Sequence, residues 1–257
     1  MQTKHQSLEQ DLNELGGWSP VTVVMLLTAL VVGEVVGLLL LPQWLPGLSS
    51  SLLGENQKVY WYLARSSGVV AYILLWMSLV LGVLLSTKTA SRWLGQQVSL
   101  ELHRFSSALM VVFATFHVVV LLGDQWIRYT IWQVVIPFAS EQYRPFWVGL
   151  GQIGFYAALA VYGSFWLRKF LTTRGWRLLH YAGFVVFVLL TLHGLYAGTD
   201  AETLRPLYQV ALYTLLLSVF IRVLMRFQAS RTQRAASLAA PEAASDAGSR
   251  ASEGLPS

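Results

Sequence analysis

The chain has no cysteine. That excludes disulfides, thiolate-ligated clusters and cysteine nucleophiles, since each needs the sulfur. Charge is scarce too: Asp, Glu, Lys and Arg make up 12% of the 257 residues, against 55% hydrophobic. Soluble proteins average about 25% charged residues, so a water-soluble fold does not fit. No Gly-rich phosphate-binding loop follows a strand pattern anywhere, and nicotinamide binding by the chain itself is not expected. The net charge of +5 comes from basic residues beside apolar blocks, not from one basic face. Nucleic acid is therefore not an expected partner; in a membrane such charge sets orientation.

What the chain does have is long apolar blocks, at about 20–41, 60–86, 101–122, 146–167, 176–198 and 204–226. About 20 apolar residues, at 1.5 Å per residue, suffice for a helix to cross a bilayer. The expectation is an all-α, multi-pass bundle of six transmembrane helices over 20–226, its principal partner the lipid bilayer. Residues 125–137 (QWIRYTIWQVVIP) are aromatic-rich and too short to span, which reads as an interfacial segment. Residues 1–19 form an N-terminal segment where Lys4 is set against Glu9, Asp11 and Glu14; this is not the basic start of a cleavable signal. Residues 227–257 are Ala/Ser-rich, with almost no large apolar side chains, and are expected to be a disordered tail. Placing both ends inside puts thirteen Lys and Arg on the cytoplasmic side and five outside. That bias predicts an N-in, C-in protein of the cytoplasmic (inner) membrane.

Four of the five histidines lie in two of the blocks: His103 and His117 in the third, His180 and His193 in the fifth. In this topology both blocks run from inside to outside, so the four form two pairs, each at a common depth. Fourteen residues of helix rise about 21 Å and thirteen about 19.5 Å, too far for one metal to bridge. Two sites stacked across the membrane remain, each with one histidine from each helix. Zinc wants three or four ligands, and no carboxylate or cysteine is available to complete the set. A haem fits, since its flat apolar macrocycle replaces lipid and its iron takes axial histidine. With two axial histidines the iron's coordination is full, so such a haem carries electrons instead of binding oxygen directly. One detail strains the pattern. At 100° per residue, thirteen residues leave His180 and His193 about 140° apart around an ideal helix. A kink, local tightening, or sites set to either side of the helix would reconcile this.

The arrangement resembles the transmembrane domain of the ferric reductase superfamily, which includes the NADPH oxidases. The likeness covers about 60–200 and rests on His103-x13-His117, His180-x12-His193 and the LHYAGF…LHG run at 179–194. It implies two b-type haems, the inner on His103 and His180 and the outer on His117 and His193. Leu63-Ala64-Arg65 also resembles the family, where an arginine lies beside the outer haem near its propionates; Arg65 is the candidate. Where NADPH oxidases carry a further histidine, one turn beyond the outer ligand, this chain has Leu121, which argues against a specialised oxygen-reducing site. The flavin and nicotinamide domain of larger members is expected only on a partner. The resemblance thus implies electron transfer from a separate flavoprotein or quinol donor to an outer acceptor. The haem subunit of the periplasmic methionine sulfoxide reductase system is the alternative analogue. A haem-free transporter or scaffold is the competing class.

Smaller signals remain. Glu34 lies inside the first block, within Gly33-x-x-x-Gly37, a spacing that favours close helix contact. An acid paired within the bundle, with Arg65 as one partner, is the plain reading; proton handling is the sharper one. The glycines of the fourth block suit helix packing or haem clearance. Asp200 and Glu202, just past the fifth block, read as solvated loop.

Overall fold

The computed structural model describes residues 24–25, 27–36, 59–87, 89, 95–124 and 126–253, the stretch after 232 as backbone only. Among the described residues there is no strand. Helix α1 (Leu27–Val36), with residues 24–25, is the described part of the first apolar block; the rest of that block, Gly37 included, lies outside the described residues. Then come α2 (Val59–Ser86), α3 (Gln96–Val120, extended by a 3-10 turn, Leu121–Gly123), the short α4 (Ile131–Val135), α5 (Pro145–Leu167), α6 (Thr173–Ala197) and α7 (Ala201–Glu253). Five helices are long and apolar enough to cross a membrane, namely α2, α3, α5, α6 and the Ala201–Thr232 part of α7. The protein is thus all-helical and multi-pass over the described residues.

Local chemistry sets the helix ends. Thr172 caps α6, its side chain accepting from the Gly175 N–H at 3.1 Å, which satisfies one of the orphan donors of a first turn. Pro145 opens α5, where its missing N–H costs nothing. Thr130 and Gln133 make a reciprocal capping box on α4. Trp126 ahead of α4 and Trp132 within it are 71% and 68% exposed while Tyr129 is buried, so this short aromatic segment lies along the surface of the bundle with Tyr129 turned in.

Two helix pairs dominate the packing, α2 with α3 and α5 with α6; α7 lies against α2 and α6. The buried faces are rich in small residues: Ala64, Ser66, Ser67, Ala71 and Ser78 on α2, beside Tyr62, Tyr72, Leu75 and Val83, and Gly149, Gly151, Gly154, Ala158 and Ser164 on α5. Small side chains let backbones approach, which is what drives helix association where lipid is as apolar as leucine. A central cluster including Tyr72, Met110, Phe187, Tyr208 and Leu215 joins α2, α3, α6 and α7. Tyr72 Oη and Thr191 Oγ1 share a hydrogen bond of 2.9 Å, and Trp76 donates to Thr214 Oγ1 at 2.9 Å. Outward, Val188, Leu217 and Phe220 are each more than half exposed, a surface that suits hydrocarbon and not water.

The helix α7 continues through 227–253, the stretch where composition predicts disorder. Alanine is the best helix former, and backbone bonding inside one helix needs no partner. Propensity and the lack of an apolar face therefore point in opposite directions along this segment.

Candidate functional site

Two histidine pairs sit between α3 and α6. The rings of His103 and His180 have centroids 6.0 Å apart with planes at 77°. Those of His117 and His193 are 6.4 Å apart at 81°. A metal–imidazole bond of about 2.0 Å, with each nitrogen about 1.1 Å from its ring centre, puts two axial ligands about 6 Å apart. Both gaps have that width.

Three of the four rings are tied to a backbone carbonyl through Nδ1. His117 reaches the Ala64 carbonyl at 2.5 Å, His103 that of Ser78 at 2.9 Å, and His193 that of Trp147 at 2.9 Å. A carbonyl oxygen only accepts, so in each bond Nδ1 carries the proton. Nε2 is then left with its lone pair, the state an imidazole needs to bind a metal. His180 is held differently: it lies flat against Trp176, centroids 5.2 Å apart and planes at 17°. The helix α6 runs unbroken from Thr173 to Ala197, with no local change of winding to rotate His193 toward His180. Both rings face α3, but His193 is also tied to α5 through the Trp147 carbonyl, whereas His180 lies against Trp176 of α6 itself.

Around the outer pair opens a cavity of about 570 Å³. His117 and His193 line it together with Trp61, Arg65, Tyr208 and Asp200. Its wall is largely apolar, as a site for a mostly apolar ligand requires. Arg65 forms an ion pair with Asp200 and stacks over Trp61 at 4.1 Å. Sequence reasoning placed Asp200 in a solvated loop and missed it. The signal available was its position just past the helix that carries His193. Glu34, 7% exposed, takes a hydrogen bond of 2.7 Å from Ser66, and its second oxygen has no partner among the described residues; Arg65 goes to Asp200 instead. An added Cβ at Gly33 would lie 2.5 Å from Phe113, so the close contact expected of this glycine is made against α3.

Among the described residues, no three or more His, Cys, Asp or Glu side chains gather in one place. Each pair therefore offers a metal two ligands, and a tightly held ion needs the rest from a ligand it brings along. A tetrapyrrole supplies four nitrogens in one plane. The donor set and the ring spacing fit that group at both pairs, and at the outer pair the apolar wall does too.

No curated protein and no solved structure matches the chain. Residues 67–191 match the family model described as "Ferric reductase like transmembrane component". The matched stretch includes His103, His117 and His180 and stops two residues before His193. Domains of this family generally bind haem and move electrons across membranes. Over residues 67–191 the protein is thus similar to a ferric reductase-like transmembrane domain.

Proposed function

We propose that the protein is a di-haem b electron conduit, passing electrons from a cytoplasmic flavoprotein or quinol donor to an outer acceptor. His103 and His180 would hold the inner haem, His117 and His193 the outer. When bound, the two haems supply one-electron transfer across the bilayer. The remaining work falls to the chain's own groups. The carbonyls of Ala64, Ser78 and Trp147 hold Nδ1–H and so present Nε2 as ligand. The apolar wall of the outer cavity excludes water. Arg65, partly screened by Asp200, is the cation suited to haem propionates.

The observation that carries this reading is the spacing of the two imidazole pairs, 6.0 and 6.4 Å between ring centres, inside a domain whose family generally binds haem. Six spans with both ends in the cytoplasm, in the inner membrane, complete the proposal; the excess of Lys and Arg on one side supports it. Purified protein is expected to show a b-type reduced-minus-oxidised spectrum with about two haems per chain. Replacing His117 or His193 by alanine is expected to remove the outer haem and leave the inner. Unchanged haem content after His→Ala at all four positions would overturn the assignment.

A further inference from the structure

The three tethered histidines share a construction. Ala64 and Gly68, Ser78 and Gly82, Trp147 and Gly151 are each four residues apart, and in each case the first supplies the accepting carbonyl. The glycine then faces the same imidazole. An added Cβ would lie 3.0 Å from His117 Nδ1 at Gly68 and 3.3 Å from His103 Cε1 at Gly82; at Gly151 it would collide with His193. The two cradles on α2 are fourteen residues apart, as His103 and His117 are on α3.

Helix geometry explains the four-residue step. A carbonyl at position i already accepts from the N–H at i+4, and only its second lone pair is open to an outside donor. Helical side chains lean toward the N-terminus and cover the preceding turn. The residue at i+4 is thus the one whose side chain screens carbonyl i. Glycine leaves it bare.

We propose that Gly68, Gly82 and Gly151 are positioning residues for the haem-ligating histidines, each opening the gap through which an imidazole reaches its carbonyl. This rests on the haem reading above. It adds that the glycines set ligand basicity, because the Nδ1–H···O bond strengthens electron donation through Nε2. His180 is outside the scheme, so the outer site is tethered at both ligands and the inner site at one.

The test uses the full chain loaded with haem, wild type beside Gly68→Ala, Gly82→Ala, Gly151→Ala and Gly163→Ala. Gly163 is the control, since nothing among the described residues lies within 4 Å of its added Cβ. Haem per chain, the midpoint potential of each haem and helical circular dichroism are measured together. Gly68→Ala and Gly151→Ala are expected to raise the outer haem's potential, or empty that site, with the inner haem unchanged. Gly82→Ala should act on the inner haem alone and most weakly, its clash being mildest. Should Gly151→Ala not fold, Gly68→Ala decides the outer site. The proposal is overturned if the alanine variants keep wild-type potentials and occupancy, or move both haems alike. A wild-type chain that binds no haem, or His117→Ala that keeps both, defeats the haem reading itself. Silent glycine variants beside a haem-deficient His117→Ala defeat only the cradles.

Discussion

A neutral imidazole has one donor and one acceptor nitrogen, so whatever holds the first decides what the second can do. In three of the four histidines a carbonyl settles the matter. His180 relies on Trp176 instead, and ring stacking restrains a plane but chooses no tautomer. Replacing Trp176 by alanine is therefore expected to lower the inner haem's occupancy and leave the outer one unchanged, read as haem per chain with the two midpoint potentials. At the outer site, Arg65 and Asp200 are bound to each other. Asp200→Asn should free the guanidinium for haem propionates and move the outer potential, not the inner, in potentiometric titration. Arg65→Ala should move the same potential and leave Asp200 a half-buried charge without its partner, at a cost in stability of about 1–3 kcal/mol.

At the scale of elements, the long apolar blocks announced α2, α3, α5, α6 and the start of α7 to within a few residues, because a bilayer's thickness imposes a length on whatever crosses it; α7 itself runs on past the end of its block. How those helices touch was less legible. The serines and glycines of α2 and α5 face inward beside a few large residues such as Tyr72 and Leu75, while many large apolar residues also face out, so hydrophobic periodicity gives no clear core face. The thirteen-residue step between His180 and His193 looked like a misfit for one helix. The structure keeps α6 an unbroken α-helix, with His193 tied to α5 and His180 laid against Trp176. Helix contact here rests on polar pairs as well as fit. Tyr72→Phe removes the bond to Thr191 and is expected to destabilise the bundle by about 0.6 kcal/mol, with an upper bound near 1.7, measurable by unfolding in mixed detergent.

For the whole molecule, orientation is the open physical variable, and the lack of cysteine makes it easy to read. With both ends inside, a single cysteine at Thr173→Cys should react with a membrane-impermeant thiol reagent only after the cytoplasmic face is opened. Glu141→Cys should react from outside in intact cells. The reverse pattern would invert the direction of electron flow proposed above. The sequence alone determined what depends on local composition: an all-helical chain in a membrane, and histidines at two depths, because rise per residue is the same in every α-helix. Only the tertiary structure decided how far apart the paired rings stand, that Asp200 and not Glu34 meets Arg65, and that glycines on α2 and α5 bare the carbonyls that hold the rings. Those outcomes depend on the rotation and approach of separate helices, and contacts between residues far apart along the chain leave no periodic mark in it.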